Sequence, residues 1–541
     1  MFRNSNITRN IVGIAGGFLL ITLVACGGLN AAPDYVPQEE AIHIEVAREA
    51  EYVAAMPAPT ASPQLAAGGE AIPNDEPYDL MFFDNVGVNP FVDTEDDHLS
   101  TFAMDVDSAS YTVARRYISE GHLPPPDAIR VEEFINYFDM HYPGPDEGEG
   151  AFALHMEGAP SHFGPQSAYL LKIDLQGREV LAEDRKDANL VFVIDVSGSM
   201  NRENRLGLVK RSLRMLVDEL RPTDSVGIVI YGSRAQVVLE PTSAEESETI
   251  LAAIDRLQSG GSTNAEEGLR LGYNMATRAY LPGGINRVIL LSDGVANVGR
   301  TGPDSILEVI RDQVAQGVTL STVGVGMGNY NDVLMEQLAN DGNGNYAYVD
   351  TLEEARRIFV ENLTGTLQVI AKDAKIQVDF NPELVRSYRL LGYENRAVAD
   401  EDFRNDRVDA GEVGAGHSVT ALYEIKFHPA AEDRIKAEAI TVQVRYQDID
   451  SGAVIELAKP FAYGDFQPDF FETSPEFRFI AAVAEYAEIL RESYWAQDNS
   501  LEDVQALAYS VESAFANNND AAEFLALLER AVQISSDEIK P

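Results

Sequence analysis

The sequence predicts an α/β fold for residues 188–366, with a doubly wound, mainly parallel, Rossmann-like sheet, then a β-rich module and a helical C-terminal region. Two observations carry the central prediction. Leu190-Val191-Phe192-Val193-Ile194 and Val288-Ile289-Leu290-Leu291 are unbroken apolar runs, the pattern of strands covered on both faces. Between them, apolar residues recur at helical spacing, as at Leu206, Val209, Leu213, Leu216, Val217 and Leu220. Short buried strands alternating with amphipathic helices assemble into a parallel sheet with helices on both faces.

At 541 residues the chain is too long for one compact domain. Residues 1–26 read as an export signal: Arg3 and Arg9 precede the apolar stretch Ile11 to Val24, which is too short to span a membrane comfortably. Residues 27–85 are proline-rich and acidic, the composition of an extended tether, with a short helix possible within Glu39 to Ala55. Residues 86–187 form an N-terminal region read as helices followed by strands. The helices are expected over Ser108 to Ser119 and Val131 to Phe138, separated by Pro124-Pro125-Pro126, and strand-like alternation follows over 151–176.

In the central region, strands are expected at Val226 to Tyr231, Val237 to Leu239, 318–325 and 345–349. Helices are expected at Glu245 to Leu257, Asn264 to Arg278, 304–315, 331–339 and 352–363. Residues 367–465 return to alternation, at Ile376, Val378 and Phe380, then Thr420 to Ile425, Ile440 to Tyr446 and Val454 to Leu457. Residues 466–541 are helical, with Phe479, Ala482, Val483, Tyr486 and Leu490 on one face.

Charge narrows the function. With 87 acidic and 41 basic residues the net charge is −46, which repels phosphate backbones and argues against nucleic-acid binding. Cys26 is the single cysteine, so no intramolecular disulfide exists.

The chemistry concentrates where two buried strands end in aspartate. Ligands of open parallel sheets sit at the carboxyl ends of the strands, and a buried carboxylate there is costly without a counter-charge. Asp195-Val196-Ser197-Gly198-Ser199 puts one carboxylate and two hydroxyls at alternate positions of a loop, and Gly198 permits the tight turn. Thr263, after Gly260-Gly261-Ser262, and Asp293, in Ser292-Asp293-Gly294, lie at other element boundaries. Two carboxylates and three hydroxyls suit a hard cation, Mg²⁺ first, with Mn²⁺ or Ca²⁺ possible, and disfavour zinc. The competing role is capping, with Ser197, Ser199 and Thr263 closing helix N-termini.

No catalytic residues are identified. The serines lack a Gly-x-Ser-x-Gly setting, and none of the eight histidines lies in the central region, so a hydrolase is disfavoured. Gly324-Val325-Gly326-Met327-Gly328 lacks dinucleotide spacing and reads as a tight turn. Met104 to Ser108 lacks the remainder of a Ca²⁺ loop and reads as a helix N-cap at Asp107 or Ser108.

Asp195, Ser197, Ser199, Thr263 and Asp293 resemble the metal-ion-dependent adhesion site of von Willebrand factor A domains, with every position of the pattern filled. The resemblance implies close ligation by the three hydroxyl residues, with the aspartates acting directly or through water. It also implies an open coordination position for an acidic side chain of a protein partner. Leu23-Val24-Ala25-Cys26 resembles a bacterial lipobox, which implies lipidation at Cys26 and contact with membrane only through that lipid. Gly27 in place of Asp implies outer-membrane delivery in a diderm cell.

Outside the central region, Leu99 to Tyr111, Arg130 to Phe138, Leu391 to Arg396 and Asp409 to His417 resemble the YfbK-like group of bacterial A-domain lipoproteins over roughly residues 88–500. The expectation is a non-enzymatic, lipid-anchored extracytoplasmic protein that binds a protein partner through its metal. Two alternatives stay open: a structural metal with partner binding through the β-rich flank, and an accessory factor of an envelope-remodelling enzyme.

Overall fold

The central sheet has six strands, in the order Tyr346–Val349, Thr319–Val325, Ile285–Ser292, Ala188–Asp195, Ser225–Tyr231, Ala235–Ser243. All neighbours are parallel except the last pair, which is antiparallel. In chain order this is 3-2-1-4-5-6 read from the other edge, the doubly wound arrangement with a switch point between the first and fourth strands. The first strand is buried at every residue, as an unbroken apolar run requires when helices cover both faces. One cluster lies on each face: Val191, Val193, Leu269, Tyr273 and Val288 on one, Phe192, Ile194, Leu213, Leu216 and Ile289 on the other.

These features belong to a computed structural model that describes residues 83–538 apart from 105, 106, 147, 166, 295–302, 328, 329 and 409. The expected export signal, Cys26, the helix expected within Glu39 to Ala55 and nearly all of the expected tether lie outside the described residues, as do two positions of the Met104 to Ser108 segment. Among the described residues, no helix is long and apolar enough to cross a membrane.

The flanking strands are organised differently from their order in the chain. Tyr169–Gly177 pairs with Phe152–Pro160 on one side and with Ser418–Phe427 on the other. A second sheet centres on Val369–Phe380, which pairs with Glu438–Asp448 and with Leu99–Ala103. Both sheets are antiparallel and share one core that includes Phe102, Ile173, Leu175, Ile376, Val378, Tyr423 and Val444. Strands from before and after the central region therefore build joint sheets. Leu99–Ala103 also corrects the expectation of helices before strands: a five-residue strand precedes the Ala109–Ser119 helix. Val385–Leu391 is a further strand that the alternation did not reveal. The helix expected at 352–363 is broken, with α-turns at Leu352–Arg356 and Leu363–Leu367 around a π-helical turn at Arg357–Glu361.

The C-terminal helices Pro475–Leu490, Leu501–Val511 and Asn519–Glu538 pack on the N-terminal helices through Tyr111, Phe134, Phe138, Phe479, Tyr486 and Phe524. Ser474 caps the first of them by accepting from the Phe477 N–H, and Ser500 caps the second. Glu485 lies buried in this layer, accepts a 2.8 Å hydrogen bond from Asn499, and is pushed up to about 8 by burial. The folded chain thus keeps a proton there that the unfolded chain releases near the ordinary 4.5. Its contribution to stability declines as pH rises from 4.5 to 8. Glu485→Gln should flatten the loss of stability between pH 5 and pH 8 by a few kcal/mol, at about 1.4 kcal/mol for each tenfold difference in proton affinity between the folded and unfolded chains. Urea melts at the two pH values check this, and equal slopes in both proteins would refute it.

Candidate metal centre

Asp195 ends the first strand and Asp293 directly follows the fourth, so the switch point places both carboxylates in one crevice. Both are almost completely buried. The Asp195 carboxylate accepts the Ser197 N–H at 2.7 Å through Oδ1 and the Ser292 hydroxyl at 3.0 Å through Oδ2. The Ser197 and Ser199 hydroxyls are 2.9 Å apart, and Ser199 donates to Asp293 Oδ1 at 3.0 Å. Four of the five expected residues therefore form one continuous hydrogen-bonded cluster.

The fifth, Thr263, stands on an adjoining segment. Gly260 N–H donates to the Val196 carbonyl at 2.6 Å, and Gly198 N–H donates to the Gly261 carbonyl at 3.1 Å. These bonds fasten the 260–263 loop to the Asp195–Ser199 loop. Gly261 has φ +92°, and a Cβ there would meet the Ser233 hydroxyl at 2.6 Å, so this close approach requires glycine. The Thr263 side chain is half-buried and makes no hydrogen bond among the described residues.

Capping does not account for these hydroxyls. The Ala265–Arg278 helix is capped by Asn264, whose side chain accepts from the Glu267 N–H at 3.3 Å, and not by Thr263. Ser197 precedes the 3₁₀ turn Gly198–Asn204 without a side-chain capping bond. The N-cap expected at Asp107 or Ser108 falls at Ser108, whose side chain makes no capping bond, while Asp107 accepts from the Tyr346 N–H at 3.0 Å and pairs with Arg396 at 2.9 Å.

The electrostatics fit a bound cation. Burial, and then the neighbouring Asp293, push the Asp195 carboxyl up to about 7, the behaviour of two acids forced together without enough positive charge. Asp293 is also raised by burial, against the pull of Arg205. Among the described residues, no group of three His, Cys, Asp or Glu side chains could hold a metal. The donors here are instead two carboxylates supplemented by hydroxyls, the oxygen chemistry of a hard divalent ion.

Family comparison gives the fold its place. Residues 189–363 match the von Willebrand factor type A domain, 78–171 the family described as von Willebrand factor, and 365–534 the family described as Uncharacterized protein YfbK, C-terminal. The protein "Uncharacterized protein YfbK" of Escherichia coli (strain K12) is 38% identical over 463 residues, covering 82% of this chain and 80% of that one. The chain belongs to the YfbK-type von Willebrand factor A family. "Inter-alpha-trypsin inhibitor heavy chain H4" of Homo sapiens is 30% identical over 164 residues, covering 29% of this chain and 17% of that protein. The solved von Willebrand factor type A protein from Catenulispora acidiphila aligns with a TM-score of 0.40 at 15% identity, covering 74% of this chain and 89% of that one.

This family member places a cation of its own against Asp293. Arg205 is buried, pairs with Asp293 Oδ2 at 2.8 Å, and donates to the Met327 carbonyl. Gly326 makes room for it at φ +76°, where a Cβ would fall 2.1 Å from the Arg205 Nε. Sequence reasoning misses Arg205, although one signal is available. An arginine opening the Arg205–Glu219 helix opposes the helix dipole, which favours acids there, and so points to a tertiary anion. Ser292, the second donor to Asp195, carries no such signal beyond its place before Asp293.

Arg205→Gln should tighten Mn²⁺ binding on the order of tenfold, because one positive charge leaves the ion's surroundings. Calorimetric titration checks this, and weaker binding by the variant would mean that the guanidinium supports the ion.

Proposed function

We propose that this chain is a non-enzymatic, lipid-anchored cell-envelope protein that captures a protein partner through a divalent ion, Mg²⁺ in the first place. Ser197, Ser199 and Thr263 would hold the ion with Asp195 and Asp293, and Cys26 would carry the lipid. The bound ion supplies positive charge and an open coordination position to an acidic side chain of the partner. The observation that carries this reading is the convergence of Asp195, Ser197, Ser199 and Asp293 at the switch point, with hydroxyls that no helix cap occupies.

Charge supports capture of an anion. Asp195 and Asp293 contribute two negative charges, against which Arg205 and, from further off, Arg202 set positive charge, so a divalent ion leaves the crevice net positive. The acidic, proline-rich residues 27–85 would act as a tether that gives the domain reach beyond its anchor.

The test is cross-linking capture from the native envelope by the full chain, in Mg²⁺ and in chelator, beside Ser197→Ala. A partner recovered only in Mg²⁺ and only by the parent chain supports the reading. Equal recovery by the variant sinks it, and would favour binding through the flanking β-sheets with a purely structural ion.

A further inference from the structure

A second cavity, of about 330 Å³, opens where the end of the central domain meets both flanking regions. This lies in the size range of small-molecule sites. The family-like segments that the metal site leaves unexplained meet here: Ser108 from 99–111, Asn136 from 130–138 and His417 from 409–417 all line it. Its remaining wall comes largely from the π-helical turn Arg357–Glu361 and the residues after it, an irregularity that recurs at functional sites.

Among the described residues, two buried polar atoms on lining residues have no hydrogen-bond partner: Nη1 of Arg357 and Nδ1 of His417. The rest of the Arg357 guanidinium is fixed, stacked 3.7 Å over the Tyr137 ring and donating to the Tyr137 carbonyl. His417 is pushed down to about 4 by burial, so it is a neutral imidazole at physiological pH. It sits against Gly365, where a Cβ would fall 2.6 Å from its Nε2. Glu354, also on the wall, is already engaged by Arg115 at 2.8 Å and the Tyr137 hydroxyl at 2.9 Å. The solvent-exposed rim is acidic, formed by Asp139, Glu179 and Glu361. Neither Glu179 nor Glu361 has an ion-pair partner among the described residues.

The Arg357 guanidinium has Glu354 and Asp520 as charge neighbours but keeps one N–H without an acceptor, which a carboxylate oxygen would satisfy, and an acidic rim calls for a cation. We infer that this cavity binds a small zwitterion of the α-amino-acid or dipeptide class, its carboxylate on Arg357 and His417 and its ammonium among Glu179, Glu361 and Asp139. The site is separate from the metal centre and does not depend on the capture reading.

The test uses the full chain with the twenty standard amino acids and L-alanyl-L-alanine, by thermal shift and then calorimetry. At least one zwitterion should raise the melting temperature. Its N-acetyl and amide derivatives should each bind weaker by on the order of 10- to 100-fold, the size of one charge-assisted hydrogen bond. Arg357→Gln should reduce affinity comparably. Should that variant fail to fold, the double variant Glu179→Gln/Glu361→Gln, altered only at the exposed rim, should still weaken the zwitterion and leave its N-acetyl derivative unaffected. Chelator and Asp195→Ala should change nothing. Absence of binding by every compound, equal binding of the acetylated and amidated forms, or loss of binding in chelator would each overturn the inference.

Discussion

Alanine at Asp195 is expected to abolish the stabilisation of this protein by divalent ions while leaving it folded. A ligand that binds only the native state stabilises it by RT ln(1 + [L]/Kd), roughly 2.7 kcal/mol at one hundred times Kd. The parent chain should therefore melt at higher temperature in Mg²⁺ than in chelator, and Asp195→Ala should melt identically in both. The variant removes one of two crowded buried carboxyls, so the electrostatic strain that pushes Asp195 up to about 7 disappears in the metal-free state. Against that gain, the Ser197 N–H and the Ser292 hydroxyl lose their acceptor. The two effects oppose each other, and the metal-free variant should stay within roughly 2 kcal/mol of the metal-free parent. A variant that still gains stability from Mg²⁺ would remove Asp195 from the site.

The largest expected loss of stability lies away from the metal. Arg115, on the N-terminal Ala109–Ser119 helix, is buried and reaches Asp350 at 2.5 Å and Glu354 at 2.8 Å in the central domain, with Glu523 of the last helix at 2.8 Å. Arg130 similarly joins Asp332 at 3.1 Å and Glu336 at 3.0 Å, and Arg396 joins Glu336 to Asp107. Removing one partner of such a buried network strands the others without counter-charge, at a cost of roughly 3–5 kcal/mol. Arg115→Ala should be destabilised by that amount in urea, with the transition of the central domain moved along with that of its flanks. A loss below about 1 kcal/mol would show that water reaches Asp350 and Glu354 once the arginine is gone.

Much of the central region is legible in the sequence because its signals are local. Continuous apolar runs mark the strands Ala188–Asp195 and Ile285–Ser292, and the residue type at their ends marks the crevice. The Asp195–Ser199 string lies within one loop, so spacing alone puts a carboxylate and two hydroxyls together. Asp293 is legible from the apolar strand that it follows and Thr263 from its place before a helix, and the resemblance to a known pattern joins them to the loop. What brings Asp293 to Ser199 is the pairing of two strands far apart in the chain, and no local property encodes that contact.

The illegible parts share a physical cause. Leu99–Ala103 is too short to declare itself by alternation and is a strand because Val369–Phe380 offers it an edge. The break at Arg357–Glu361 interrupts a segment whose apolar spacing reads as one helix, and the turn settles against the cavity and Tyr137. Asn264, and not its neighbour Thr263, caps the Ala265–Arg278 helix, a choice of one residue made by backbone geometry.

Burial patterns and side-chain chemistry are written residue by residue, so the doubly wound central fold, the acidic character and the oxygen-rich donor set can be read along the chain. That strands from both flanks share sheets, that Arg205 stands beside Asp293, and that Arg357 and His417 line one cavity emerges only on packing. Those contacts are set by how separate segments satisfy one another's buried charges and sheet edges, a property of the packed chain and of no segment alone.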